Sequence, residues 1–150
     1  MTIFRNRSSW IARSALLAFA VIYPMFISIY VYLPLLIGFA GFMIVLGLQG
    51  RGFWYIFIPI VYYINLEVNL SLPMMLLVFS VLLFYLTMYE RIRYFKRCPI
   101  CVRILSIITI NLYYLAILLG YDFLFDVTSL QIDHSLLYSI AVDIILVALI

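Results

Sequence analysis

Charged residues are scarce in this 150-residue chain: they make up 10% of it, whereas soluble domains contain about 25%. Hydrophobic residues make up 69%, and the mean hydropathy is +1.25. A soluble fold of this size still exposes about a third of the surface of its unfolded chain. The composition therefore excludes water as the main solvent and predicts a lipid environment. The net charge of +3 is too small and too local to indicate a nucleic-acid partner.

Residues that bind metals or act as nucleophiles are also few. The chain has one histidine, His134, and two cysteines, Cys98 and Cys101. It contains no Ser-His-Asp constellation, no glycine-rich phosphate loop and no pair of carboxylates on one helix face. We therefore expect a protein that is not an enzyme and has no resident cofactor.

Long apolar runs fill most of the chain and divide it into six segments. A helix needs about 20 apolar residues to cross roughly 30 Å of hydrocarbon. The sequence thus predicts an all-α fold: a polytopic transmembrane helix bundle of about six short spans in one integral membrane domain, residues 1–150. The predicted spans are 11–33, 35–48, 53–66, 73–89, 104–119 and 136–150. Three of them are short, so a merged pair that leaves five spans stays open. No internal repeat is visible.

The charges alternate in sign across the predicted loops. Arginines precede the first span and separate the second from the third, and a basic cluster separates the fourth from the fifth; the cluster is Arg91, Arg93, Lys96, Arg97 and Arg103. Four acidic residues lie in the two opposite loops: Glu67, Asp122, Asp126 and Asp133. Since cytoplasmic loops collect Lys and Arg, the amino terminus is predicted to be cytoplasmic. The cluster either reflects this topology alone or binds anionic lipid or a cytoplasmic partner.

Asp143 lies inside the sixth predicted span. A charged carboxylate near hydrocarbon costs roughly 2.5–3.5 kcal/mol on insertion scales, so this side chain should face protein or water. Its role is an ion relay, a contact between subunits, or a protonated or hydrogen-bonded acid that packs the bundle. No second titratable group inside a span clearly faces it, which argues against a proton pathway. With Glu67, it is the candidate polar position for a partner contact.

Cys98-Pro99-Ile100-Cys101 has the spacing of a thiol redox pair or half of a metal site. A zinc site needs four ligands, and the only histidine is predicted on the opposite face. A disulfide-forming membrane enzyme would need the oxidising side, whereas this pair lies in the basic cluster. We expect reduced thiols in an inert turn that opens the fifth helix.

Aromatic and small residues suggest anchoring and packing. The cluster Phe53-Trp54-Tyr55 and most of the tyrosines are expected to lie at the membrane interfaces. The spacing Gly38-x-x-Gly41 allows two helices to approach closely, although it is not the Gly-x-x-x-Gly pattern.

The junction between the third and fourth spans resembles the rod-shape-determining membrane protein MreD family. Glu67 stands before Ser71 and Pro73, and the helix that follows ends in Glu90-Arg91-Ile92-Arg93. The chain departs from the family in having glutamate where aspartate is usual and in lacking glycines before Pro73. The resemblance implies a non-enzymatic scaffold of the bacterial inner membrane, working in the cell-elongation machinery with a single-span partner like MreC. The oligomeric state is not implied.

The resemblance also implies a second hypothesis, because the MreD fold is similar to that of the substrate-binding subunits of energy-coupling-factor transporters. A small-molecule-binding subunit should hold a polar pocket near the extracytoplasmic face, and candidates to line it are Asn65, Glu67, Asn69, Asp122 and Asp126. A third hypothesis is a membrane thiol oxidoreductase that uses Cys98 and Cys101. The hypothesis that we carry forward is a scaffold acting by helix-helix contacts with a membrane partner.

Overall fold

The computed structural model describes residues 3–30, 32–94, 98–125 and 134–149. All regular secondary structure in these residues is helical, which confirms the all-α prediction. Six continuous helices run through them: α1 (Ile3–Ile29), α2 (Ile37–Leu46, continued by the π-helical Gly47–Arg51), α3 (Trp54–Asn69), α4 (Leu76–Phe84, continued by the π-helical Tyr85–Tyr89 and by Glu90–Arg93), α5 (Pro99–Phe125) and α6 (His134–Leu149). No two of the six predicted segments merge within the described chain.

Two of the six helices are long and apolar enough to cross a membrane. They are Trp10–Ile29, with 20 residues, and Ile100–Phe125, with 26. Shorter apolar helices cover Ile37–Arg51 and Tyr138–Val147.

The boundaries of α1 and α5 differ from the predicted spans. α1 ends at Ile29, before the predicted end at residue 33, and it contains Pro24 in its interior. α5 starts at Pro99 instead of residue 104, because proline is favourable in the first turn of a helix. α5 also extends to Phe125, so the residues from 121 that were predicted as loop are helical up to that point.

α2 lies in the middle of the bundle. It contacts α3, α4, α5 and α6, whereas α1 packs chiefly on α3. The side of α1 that faces α3 is a narrow stripe of residues at alternating spacings of four and three: Arg13, Leu17, Ala20, Pro24 and Ile27. The rest of α1 from Trp10 onward is mostly exposed.

α2 and α4 start in the same way, although the sequence shows no obvious repeat. Each start follows a Leu-Pro pair, Leu33-Pro34 before α2 and Leu72-Pro73 before α4. The residue before each helix, Leu36 or Met75, has a left-handed backbone with φ of 50° or 67°. Neither helix has a capping side chain at that residue. The acceptors for their first amides must come from elsewhere in the fold.

Candidate functional site

Side chains of α6 cap the start of α2. The Asp143 Oδ2 atom accepts a hydrogen bond from the backbone amide of Gly38 at 2.7 Å. One turn earlier on α6, Ser139 Oγ accepts from the amide of Leu35 at 2.9 Å. Both side chains are buried, Asp143 completely. This confirms the prediction that Asp143 faces protein, and it assigns the carboxylate to the orphan amides of a helix amino terminus.

Three tyrosines complete the same site from the other side. Their hydroxyls donate to backbone carbonyls at the start of α2 and just before it: Tyr23 to Pro34 at 2.9 Å, Tyr62 to Leu35 at 2.5 Å and Tyr63 to Ile37 at 2.6 Å. Tyr62 and Tyr63 are 4% and 0% exposed. These two buried tyrosines are therefore exceptions to the expectation that most tyrosines lie at the interfaces. Nothing in their spacing distinguishes them from anchoring tyrosines.

Polar backbone groups of Pro34 and Leu35, before α2, and of Ile37 and Gly38, in its first turn, are thus bound by side chains of α1, α3 and α6. Irregular backbone inside a membrane is tolerated where it is buried in protein and its polar groups are satisfied. We call this arrangement, formed by Tyr23, Tyr62, Tyr63, Ser139 and Asp143, the α2 capping network.

Close packing at the first turn of α2 brings α5 against the network. A Cβ atom added to Gly38 would lie 2.5 Å from Asn111 Nδ2 and 2.9 Å from Asp143 Oδ2. One turn further on, Gly41 packs against the Tyr63 hydroxyl. The prediction that Gly38-x-x-Gly41 allows close approach is confirmed, and the approach is within the chain. Asp143 Oδ1 is buried with no hydrogen-bond partner among the described residues.

Glu67 caps α4 as Asp143 caps α2. Its Oε2 atom accepts from the amide of Met75, and its Oε1 atom accepts from the amide of Leu77, both at 2.7 Å. Glu67 lies near the end of α3 and is 1% exposed. Both carboxylates singled out from the sequence therefore hold the amino terminus of a short helix.

Of the side chains expected to line a ligand pocket, Asn65 and Asn69 contact each other, and Glu67 and Asp122 both interact with Tyr114. Asn65 donates to the carbonyl of Val21 at 2.5 Å and so ties α3 to α1. Asn69 donates to Asn65 Oδ1 at 2.9 Å. Asp122 is partly buried on α5, and Asp126 lies outside the described residues. The three cavities discussed below are not lined by any of them.

The basic cluster is described only in part. Arg91 is exposed on α4, and Arg103 is partly buried on α5. Lys96, Arg97 and the Arg93 side chain lie outside the described residues. Arg103 lines one cavity together with Arg51, which is not a member of the cluster.

Cys98 and Cys101 form a disulfide, with Cα atoms 5.3 Å apart. The expectation of reduced thiols is therefore wrong for this structure. The physical reason is the spacing: Cys98 immediately precedes α5, and Cys101 lies three positions later on the same side of its first turn. Bonded sulfurs are not thiolates and do not ligate zinc.

In the sequence, Arg51 and the arginines near the first predicted span indicate only the topology. In the structure, Arg13 and Arg51 line one cavity between α1, α2 and α3. Arg13 lies over the ring of Trp54, with Cζ 5.7 Å from the ring centroid. Residues far apart in sequence meet here, so no local motif signals the site. No family model, curated protein or solved structure matches the chain.

Proposed function

We propose that this chain is a multi-pass scaffold subunit of a bacterial inner membrane, acting through helix-helix contacts with a membrane partner. In this proposal all six helices cross or enter the bilayer, and the amino terminus is cytoplasmic. The MreD resemblance supports cell elongation as the process and a single-span protein as the partner.

The short helices fit a membrane because of the α2 capping network. α2 has too few residues to cross hydrocarbon by itself. Its start is set inside the bundle, since the carboxylate that caps it stands in the middle of α6. Protein side chains bind the backbone carbonyls of Pro34 and Leu35 and the amide of Leu35 before it, so these groups do not depend on water.

The distribution of arginines supports the orientation. Among the described residues, Arg13 lies in the first turn of the apolar stretch Trp10–Ile29 of α1, Arg51 ends α2, Arg91 lies in the last turn of α4 and Arg103 in the second turn of α5. Six successive crossings would bring all four to one side of the bilayer, and basic residues accumulate on the cytoplasmic side.

The observation that carries the scaffold proposal is the free surface of α1. In the most apolar stretch of α1 only 17% is buried, compared with 33% in that of α5. The face opposite α3 combines the small residues Ala15 and Ala18 with exposed Ile22 and Ile29. Small residues let a second helix approach closely. Meanwhile Glu67 and Asp143 are occupied with capping, which leaves helix faces as the main surface for function.

Photo-crosslinking tests this proposal directly. A photoreactive phenylalanine analogue replaces Ile22 on the outer face of α1, and the matched control replaces Leu112, which is 61% exposed on α5. We expect irradiation of cells to give one discrete protein adduct from position 22 and none from position 112. Equal labelling at both positions, or no protein adduct at position 22, would contradict a partner on α1.

The disulfide favours a second candidate function, thiol-disulfide exchange. Cys101 is exposed, and the pair stands at a helix amino terminus, a position that stabilises a thiolate after reduction. Reduction would take two electrons and two protons from a dithiol substrate and give two thiols. Acid quenching of cells followed by alkylation of free thiols measures the redox state. A fully reduced pair in growing cells would exclude this function; an oxidised fraction that falls when respiration stops would support it.

A further inference from the structure

An apolar groove runs between α1 and α2, with α3 as its floor. Its inner part has a cavity volume of about 120 Å³ and exposes no polar surface; Phe19 and Ala40 are among its lining residues. Leu16, Met43 and Ile58 line this inner part and also the neighbouring cavity, of about 220 Å³. The two cavities therefore adjoin each other.

The outer cavity is basic. Arg13 and Arg51 line it from α1 and from the end of α2. Arg51 stands between Gly50 and Gly52, whose φ angles of 87° and 133° form the turn that presents it. An adjoining cavity shares Met43 and Arg51 and adds a third cation, Arg103. The described linings of these cavities contain no acidic residue.

We propose that this groove binds an anionic phospholipid, with its phosphate between Arg13 and Arg51 and one acyl chain along Leu16, Met43 and Ile58. A guanidinium group matches the geometry of a phosphate. Two guanidinium groups also balance the net negative charge of an anionic lipid, whereas a zwitterionic lipid has no net charge to balance. The apolar continuation distinguishes a lipid from a free anion, which would leave the inner part of the groove empty.

The direction of the groove also fits a lipid in the cytoplasmic leaflet, where anionic lipids are concentrated. Trp54 and Tyr55, at the mouth, are residue types that anchor at headgroup level. The assignment of the lipid to the cytoplasmic leaflet rests on the proposed membrane placement of the chain. It does not depend on the proposed scaffold role. The groove uses the side of α1 that carries Leu16 and Phe19, and the proposed partner uses the side that carries Ile22.

Tryptophan fluorescence offers a direct test, because the chain has two tryptophans, and Trp54 lines the groove. The Trp10→Phe variant leaves Trp54 as the reporter. The full chain is reconstituted in vesicles that contain phosphatidylglycerol or phosphatidylcholine brominated on the acyl chain near the ester. We expect phosphatidylglycerol to bind about five-fold more tightly than phosphatidylcholine, as judged from quenching.

Three comparisons make the test specific. Arg51→Gln should remove most of this selectivity, whereas Arg91→Gln, which removes an equally exposed arginine elsewhere, should keep it. Leu16→Trp in a Trp10→Phe/Trp54→Phe background places the reporter in the groove and should be quenched more by phosphatidylglycerol than by phosphatidylcholine. Glycerol phosphate, which lacks an acyl chain, should not displace the lipid.

Three outcomes would overturn the proposal: equal quenching by the two lipids, equal loss of selectivity in Arg51→Gln and Arg91→Gln, or displacement of the lipid by glycerol phosphate.

Discussion

Asp143 and Gly38 are 105 positions apart in the chain, yet the carboxylate of one accepts a hydrogen bond from the amide of the other at 2.7 Å. Glu67 makes the equivalent contacts with Met75 and Leu77 at the start of α4. A negative carboxylate at a helix amino terminus is stabilised by the helix dipole. Glu67 and Asp143, the two buried acidic residues of the described part of the chain, therefore fix where α4 and α2 begin.

Removing the Asp143 carboxylate should destabilise the fold. Asp143→Ala leaves the buried Gly38 amide without an acceptor, which costs about 1–3 kcal/mol of the free energy of unfolding. Asp143→Asn keeps one acceptor oxygen and should cost less. Unfolding in mixed detergent micelles measures both changes. The control is Ser28→Ala, since this exposed serine donates only within α1. An Asp143→Ala variant as stable as the control would contradict the capping role.

Glu67 should show a graded response because it accepts two hydrogen bonds. Glu67→Gln retains one acceptor oxygen and should cost about 1–2 kcal/mol, and Glu67→Ala should cost more. In the double variant with Asp143→Asn, the two losses should add, since the sites cap different helices. The same unfolding assay applies. Equal stability of Glu67→Gln and Glu67→Ala would show that the amides of α4 do not depend on these oxygens.

Gly38 should not tolerate a methyl group. An added Cβ would lie 2.5 Å from Ile107 Cγ2 and from Asn111 Nδ2, so Gly38→Ala should destabilise the fold by about 1–3 kcal/mol. Gly120 provides the matched control on α5, because nothing lies within 4 Å of its added Cβ. Gly120→Ala should stabilise the helix by roughly 0.5–1 kcal/mol. The thermal midpoints should shift in opposite directions; shifts in the same direction would refute the packing argument.

The sequence predicted the parts of this fold that depend on local pattern. Apolar runs located all six helices, and the cost of a carboxylate near hydrocarbon identified Asp143 as buried. The capping network was not predictable, since it joins side chains of α1, α3 and α6 to one segment of backbone. Tyr62 and Tyr63 look like any interfacial tyrosine until the fold places carbonyls beside them. The Leu-Pro pairs before α2 and α4 are visible in the sequence, but the left-handed residue that starts each helix is evident only in the fold.

Cysteine accessibility should establish the proposed orientation. In a Cys98→Ser/Cys101→Ser background, Tyr32→Cys and Tyr94→Cys introduce thiols at positions that are 91% and 86% exposed. They lie between α1 and α2 and after α4, respectively. A membrane-impermeant maleimide added to spheroplasts should label Tyr32→Cys, and it should label Tyr94→Cys only after lysis. Labelling of both before lysis would contradict alternate crossings.

Gentle detergent extraction of the tagged chain from its native membrane tests the scaffold claim most directly. We expect a membrane protein to co-purify in fixed proportion with the wild-type chain and with Leu112→Trp, but not with Ala18→Trp, which blocks the outer face of α1. A single-span partner or a cell-wall synthase would match the MreD resemblance. Purification of the chain alone as a stable monomer with turnover, or with a tightly held small molecule, would contradict the account.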